Sequence, residues 1–146
     1  MLDQALQLLN QNISVVASRR DDKRPVSNWT EYQKRLPTKE ELETWFKQDP
    51  NYNIGIITGP ISGLFVLDIE SSVEINEFLK SHPVPPTTTV RTGSGGTHFY
   101  FQYPKEGTIP TKARIFGKDS KWLVDVRGAG GFVICPSSIH PTTQRP

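Results

Sequence analysis

LFVLDIE, residues 64–70, is an apolar run that ends in two carboxylates, and it predicts the central strand of the fold. Because successive side chains of a strand point to opposite faces, Asp68 and Glu70 share one face. Two residues advance a strand by roughly 6.6 Å, so both carboxylates can converge on one small object. Like charges this close repel each other unless a proton or a cation lies between them, and a hard divalent cation prefers oxygen ligands. The alternative is that the two acids only mark the polar end of a strand.

Length and composition indicate one globular domain. The 146 residues are 35% hydrophobic and 22% charged, and a chain of this length can bury a substantial core. The formal net charge of +2 does not by itself indicate a nucleic-acid partner. The distribution of charge is more informative, because basic residues cluster at 19–24 and 112–127. We therefore expect residues 1–146 to form a single domain with two basic segments.

Cysteine content and hydropathy bear on the compartment. Cys135 is the only cysteine, which excludes an internal disulfide and a cysteine-based zinc site. The N-terminus carries Asp3 and several polar residues, unlike a signal peptide. No apolar run approaches the roughly 20 residues of a membrane-spanning helix. These features favour a cytoplasmic location without a membrane partner.

Periodicity divides the chain into helices and strands. Helical spacing and the capping boxes at Thr38–Glu41 and Ser71–Glu74 predict three helices: 2–11, 39–48 and 71–81. Apolar and β-branched runs predict seven strands: 15–17, 53–57, 64–70, 87–92, 97–103, 122–127 and 132–135. Mixed helices and strands come first and hairpins follow, which predicts an α+β domain with a mixed or antiparallel sheet and flanking helices.

Three features of the predicted strands carry candidate chemistry. The first is the carboxylate pair in residues 64–70, the second is His98 directly after a glycine turn, and the third is Asp125. If these strands are neighbours, three carboxylates and a histidine meet over one face of the sheet. Three carboxylates can hold two divalent cations about 3.5–4 Å apart, the arrangement that stabilises attacking and leaving oxygens in phosphoryl transfer.

The phosphates of a nucleotide would then be held by His98 and Arg127, with help from the backbone amides of Gly95 and Gly96. Each of these residues also has a simpler explanation. A lone histidine on a strand is often structural, the glycine turn can simply close a hairpin, and Arg127 can pair with Asp125 alone. The turn is not a Walker phosphate loop, because no Gly-Lys-Ser follows and the next segment has the pattern of a strand.

Two polar loops carry the remaining basic candidates. Loop 19–25 contains Lys23 and Arg24, and loop 104–120 contains Lys112 and Arg114. A charged run is commonly solvated surface, but cations are also what a polyanion requires. The functional interpretation is that these four side chains contact the phosphates of a template strand.

Five motifs occur in a fixed order: NIGIITG (53–59), LDIE (67–70), RTGSGGTHFYF (91–101), DVRG (125–128) and PSSIHP (136–141). Together they resemble the primase-polymerase (prim-pol) domain of the archaeo-eukaryotic primase superfamily, of the bifunctional DNA primase/polymerase N-terminal type. The resemblance covers about residues 5–143 and implies the RRM-like palm architecture of that superfamily.

The resemblance also assigns roles to residues. The acid-x-acid motif of the family falls on Asp68 and Glu70 and its third acid on Asp125, which implies that these three catalytic residues hold two Mg²⁺ or Mn²⁺ ions and no zinc. The Ser-x-His motif, which binds the phosphates of the incoming nucleotide, places its serine on Gly96, so Ser94 or Thr97 is expected to supply the hydroxyl. The complete expected nucleotide-binding set is Ser94, Gly95, Gly96, Thr97, His98, Arg127, Ser138 and His140.

The resemblance implies a metal-dependent nucleotidyltransferase, a DNA primase/polymerase that makes or extends primers on single-stranded DNA. Its expected partners are a template, a primer, a dNTP or NTP, and a helicase domain or protein. The chain is expected to be either trimmed or the N-terminal piece of a longer replication protein. A catalytically weak module that binds single-stranded nucleic acid is the alternative function, and a nuclease is a third. The three unreplaced carboxylates favour the enzyme.

Overall fold

Seven strands form two antiparallel sheets in the computed structural model, which describes residues 1–140 and 142–143. Along the chain they are β1 (Val15–Ser18), β2 (Asn53–Ile57), β3 (Leu64–Ile69), β4 (Thr88–Arg91), β5 (Thr97–Gln102), β6 (Val124–Arg127) and β7 (Phe132–Ile134). The first sheet has the order β1-β2-β7 and the second the order β4-β5-β3-β6. All pairings between these strands are antiparallel. The α+β prediction is confirmed, with an antiparallel rather than a mixed arrangement.

Three α-helices accompany the sheets within the described ranges: α1 (Leu2–Asn10), α2 (Lys39–Gln48) and α3 (Ile75–Ser81). The predicted capping box opens α2, since Thr38 Oγ1 accepts from the Glu41 amide at 3.2 Å and Glu41 Oε2 accepts from the Thr38 amide at 2.7 Å. A 3₁₀ helix, Trp29–Gln33, is absent from the predicted elements, because one short turn leaves no periodic signal. No helix in the described part of the chain is long and apolar enough to span a membrane.

The larger core lies between the first sheet and the helices α1 and α2. Leu42, Trp45 and Phe46 form the buried face of α2, as their helical spacing predicts. All five residues of β2 are buried, which explains its continuous apolar run rather than an alternating one. The first sheet is therefore packed against the helices α1 and α2 through this core.

The prediction that the capping box Ser71–Glu74 opens the third helix is wrong. Helix α3 begins at Ile75, and its N-cap residue Glu74 makes no capping hydrogen bond through its side chain. The preceding segment is instead a turn, because the Glu70 amide donates to the Leu123 carbonyl and the Val73 amide donates to the Glu70 carbonyl. Val73 is buried together with Phe78 in a smaller core, whose other buried members are Ile69, Phe99 and Val124. Tertiary hydrogen bonding therefore overrides the local capping signal.

Strand β3 occupies the position from which the site is built. It pairs with β5 on one side and with β6 on the other. The three strands that carry the candidate carboxylates and the histidine are therefore neighbours. This arrangement was required in the sequence analysis for the side chains to meet on one face.

Candidate active site

Asp68 is the centre of the site because it has a candidate residue opposite it on each neighbouring strand. In the register of the sheet, Asp68 pairs with His98 on β5 and with Asp125 on β6. Residues in direct register across antiparallel strands point to the same face, so the three side chains share one surface. The Nε2 atom of His98 lies 3.3 Å from Oδ1 of Asp68.

Arg127 supplies a positive charge between the two aspartates. Its Nη2 atom lies 2.7 Å from Oδ2 of Asp125 and 3.6 Å from Oδ2 of Asp68. The ion pair between Arg127 and Asp125, which was the simpler explanation of Arg127, is therefore present in the structure. The additional contact with Asp68 places the guanidinium between both carboxylates.

Glu70 and Arg114 form the adjoining ion pair. Arg114 Nη2 lies 3.1 Å from Oε1 of Glu70, and the Arg114 amide donates to Oδ1 of Asp125 at 2.8 Å. The backbone of Arg114 has a positive φ of 53°, a conformation that non-glycine residues rarely adopt. Loop 104–120 therefore comes into the carboxylate cluster, where Arg114 contacts two of the three acids.

The electrostatics of Asp68 favour its ionised form. Burial raises the pKa of Asp68, but the hydrogen bond and charge of His98, followed by those of Arg127, outweigh it, so the pKa lies below its usual value. Its side chain is 25% exposed and that of Asp125 is 15% exposed. Both aspartates are thus partly shielded from solvent, and His98 and Arg127 favour the charged form of Asp68.

A divalent cation of the Mg²⁺ or Mn²⁺ type requires several oxygen ligands gathered around one point. No group of three or more His, Cys, Asp or Glu side chains in the described ranges is assembled closely enough to hold a metal ion as they stand. Instead, the guanidinium groups of Arg127 and Arg114 lie against the carboxylates. Three carboxylates near one another require compensating positive charge, and here the arginines provide it. Carboxylate oxygens are donors of the type that hard divalent cations prefer, but in the described arrangement they are paired with guanidinium groups and are not gathered around one point.

A cleft of about 620 Å³ lies in front of this cluster, between residues of both sheets. The candidate residues that line it are Lys23, Asp68, Glu70, Ser94, Gly96, His98, Arg127, Ser138 and His140. The candidates that lie outside its described lining are Arg24, Gly95, Thr97, Lys112, Arg114 and Asp125. Most of the expected nucleotide-binding set is therefore assembled around one cavity.

Gly96, which replaces the serine of the Ser-x-His pattern, has no room for a side chain. A Cβ atom built at this position would lie 2.5 Å from the carbonyl oxygen of Ile69. Ser94 lines the cleft, and its hydroxyl lies 3.0 Å from that of Thr92. Thr97 directly precedes His98 on β5 and so points to the opposite face. Of the two expected sources of a hydroxyl, the geometry favours Ser94.

The segment 136–140 is held against the cleft by a residue that the sequence analysis did not single out. Asn53, which is fully buried, donates to the Ile139 carbonyl at 2.7 Å and accepts from the Ile139 amide at 2.9 Å. Ser138 Oγ accepts from the Ile54 amide at 3.2 Å. The available signal was an amide side chain at the first position of an otherwise apolar strand.

The cleft has further lining residues that the sequence analysis missed, among them Trp29, Ser71, Arg91, Thr92, Thr111 and Phe132. Trp29 packs edge-to-face on Phe132 with their ring centroids 5.2 Å apart. Thr92 directly precedes the glycine turn, a position that could have indicated a polar lining residue. Trp29 belongs to the unpredicted 3₁₀ helix, and its position in the cleft depends on tertiary packing.

Comparison with known proteins agrees with this geometry. The sequence profile of the family described as "Bifunctional DNA primase/polymerase, N-terminal" matches residues 5–146. A search of curated proteins found no match. The family description implies a nucleotidyltransferase of the primase/polymerase type at the level of the family. Because the profile spans nearly all of the 146 residues, the chain belongs to this Prim-Pol family.

Proposed function

We propose that this chain is a metal-dependent DNA primase/polymerase that synthesises or extends primers on a single-stranded DNA template. The observation that carries the proposal is the direct register of Asp68 with both His98 and Asp125. This register brings two carboxylates together with a histidine, a side chain that can bind phosphate, beside a cleft of about 620 Å³. Membership of the Prim-Pol family supports the same class of reaction.

Asp68, Glu70 and Asp125 are the residues that would hold two Mg²⁺ or Mn²⁺ ions. Bound there, the cations would lower the pKa of the attacking hydroxyl and neutralise charge on the triphosphate. The support for this set is the chemistry of its donors, since carboxylate oxygens are preferred ligands of hard divalent cations. Arg127 and Arg114 already compensate the negative charge of these groups.

The side chains around the acids would bind the incoming nucleotide. His98 and Arg127 would contact its phosphates, since a guanidinium released from the two aspartates is free to pair with another anion. Ser94 would supply the hydroxyl that Gly96 cannot carry. The remaining expected residues near the cleft, Ser138 and His140, lie on the segment that Asn53 anchors.

Template and primer strands would approach from the basic loops. Arg24 and Lys112 are exposed, as a contact to template phosphates requires. Residues 1–146 would act as the catalytic piece of a replication protein that works with a helicase domain or partner. The preference between dNTP and NTP would follow from how the cleft holds the ribose.

A direct test is incubation of the protein with primed and unprimed single-stranded templates, labelled nucleotides, and Mg²⁺ or Mn²⁺. We expect template-dependent incorporation on the primed strand, and products on the unprimed strand would assign primase activity as well. Binding of the template without any incorporation would instead favour a nucleic-acid-binding module. Shortening of the labelled strand would favour a nuclease.

A further inference from the structure

Lys23 occupies a different environment from its neighbour Arg24, although both lie in the same charged loop. We propose that Lys23 binds the triphosphate of the incoming nucleotide, rather than the template, from the side of the cleft that the loop after β1 provides. This assignment rests on the proposed function, because it names a contact of the nucleotide in that same cleft. It is carried by the backbone, the burial and the surroundings of Lys23.

The backbone around Lys23 is held in place by several hydrogen bonds. The Arg19 amide donates to the Arg24 carbonyl at 2.8 Å, and the Lys23 amide donates to the Arg19 carbonyl at 3.1 Å. Ser18, which is fully buried, donates from its hydroxyl to the Lys23 carbonyl at 2.7 Å. The loop therefore presents Lys23 in a defined position.

That position requires an uncommon conformation. Lys23 has a φ of 62°, in the left-handed region that favours glycine and asparagine. A lysine in this conformation is strained, and strained residues cluster at functional sites because the surrounding structure must hold them there. Glycine would form the same turn without strain. The presence of lysine therefore indicates that its side chain is needed at this position.

The side chain of Lys23 lines the cleft together with Asp68 and His140. Burial lowers the pKa of Lys23, and the charge of Asp68 opposes this effect. Burial, and secondarily the positive charge of Lys23, also lowers the pKa of His140. Lys23, Asp68 and His140 thus face one cavity, in which the charge of Lys23 acts on the other two residues.

Lys23 makes no ion pair within 4.0 Å in the described part of the chain. A partly buried ammonium group that lacks a close anionic partner favours the binding of an anion. Asp68 and Glu70 contribute negative charge to one side of the cleft and are paired there with Arg127 and Arg114, so a further positive group on the other side would favour a polyphosphate. Lys23 provides one from the loop that follows β1.

Arg24 provides the contrast that separates a triphosphate contact from a template contact. Its side chain is 77% exposed, its Nε lies 3.7 Å from Asp22, and it lies outside the described cleft lining. An exposed rim residue suits a strand that passes over the surface. A residue inside the cleft suits the nucleotide that enters it.

The experiment measures the affinity of dATP and dAMP by isothermal titration calorimetry with Mg²⁺ present and DNA absent. Lys23→Asn removes the charge and still tolerates a positive φ. We expect it to weaken dATP binding by about tenfold or more, as loss of a charge-assisted contact does, and to weaken dAMP binding much less. Lys23→Arg should retain most of the affinity, because it keeps the charge. Arg24→Asn is the matched control and should leave dATP affinity unchanged.

Thermal unfolding of each variant excludes a folding defect, and Lys23→Gly, which adopts a positive φ without strain, repeats the test in a second background. Unchanged dATP affinity in both charge-removing variants would overturn the assignment while leaving the proposed function intact. A loss of single-stranded DNA affinity with unchanged dATP affinity would return Lys23 to the template. A wild-type protein that binds no dATP would overturn the proposed function and this assignment together.

Discussion

Asp68 on β3 and Asp125 on β6 lie directly opposite each other, and one nitrogen of Arg127 lies within 3.6 Å of both carboxylates. Two ionised carboxylates on adjacent strands repel each other, so a positive charge between them stabilises the arrangement. Without a divalent cation, Arg127 fulfils this role. In the proposed function, Asp68 and Asp125 would hold a cation that supplies this charge instead, and Arg127 would contact a phosphate.

The first prediction concerns these aspartates. Asp68→Asn and Asp125→Asn keep the shape of the side chain but remove its charge. We expect each to lower nucleotide incorporation by more than roughly 100-fold, since even outer-shell partners of metal ligands contribute about 10- to 100-fold. Primer extension with Mg²⁺ or Mn²⁺ measures the loss, and thermal unfolding should show a folded protein.

Asp119→Asn is the matched control for the aspartates, because Asp119 is exposed in the loop before β6 and lies outside the described cleft lining. It should extend primers at the rate of the wild-type protein. Folded Asp68 or Asp125 variants that also extend primers at that rate would remove these residues from the metal site.

His98 gives the second prediction. His98→Ala should weaken nucleotide affinity by about tenfold through loss of a charged hydrogen bond. The melting temperature at neutral pH should fall only by the modest contribution of the His98–Asp68 pair, because Asp68 keeps Arg127 as a partner and is 25% exposed to water. His82→Ala is the contrasting variant, since His82 stacks on Phe78 with ring centroids 4.8 Å apart, outside the described cleft lining. It should lose stability and keep nucleotide affinity, and the same pattern in His98→Ala would make His98 a core residue.

The third prediction concerns acid stability without divalent cations. The pKa of Asp68 is lowered in the folded protein, so its ionisation stabilises the fold above the unfolded value of about 3.9. This contribution is lost as the pH falls below 3.9 and through the folded pKa. His98→Ala should raise the pKa of Asp68 and reduce this loss, as urea unfolding between neutral and acidic pH would measure. An equal pH dependence in both proteins would contradict the coupling.

Gly96 provides the fourth prediction. Gly96→Ser restores the serine of the family pattern but places its Cβ 2.5 Å from a backbone oxygen of Ile69. We expect a loss of about 1–3 kcal/mol in the free energy of unfolding, because the backbone must move. Ser94→Ala should instead leave stability nearly unchanged and weaken nucleotide binding. Denaturant unfolding measures the first effect, and an unchanged midpoint for Gly96→Ser would show that the turn has room.

The fifth prediction concerns Arg24 and Lys112, the exposed residues of the two basic loops. Affinity for single-stranded DNA should fall as salt rises, with a logarithmic slope of roughly −0.7 per phosphate neutralised. Arg24→Gln and Lys112→Gln should each flatten that slope by about this amount. Lys34→Gln, another exposed lysine, serves as the control. A slope that stays unchanged in the double variant would assign Arg24 and Lys112 to solvated surface.

Local sequence was sufficient for most of the elements. The predicted strands agree with β1–β7 to within two residues at either end, because apolar runs and β-branched segments are bounded by clear turns. The capping box of α2 was also confirmed. The same type of signal failed at residues 71–74, where hydrogen bonds to Leu123 and within the turn satisfy the backbone before the helix begins. A capping pattern cannot anticipate a partner as distant in sequence as Leu123 is from Glu70.

The amino-acid sequence by itself determined which residues can carry charge toward one face, because alternation along β3, β5 and β6 follows from the geometry of a strand. It also determined the family, through motifs in a fixed order. Only the tertiary structure decided which strands are neighbours, that Arg127 and Arg114 lie against the acids, and that Lys23 lines the cleft while Arg24 does not. The physical reason is that these relations depend on pairing and packing between distant segments, whose energies local sequence patterns do not encode.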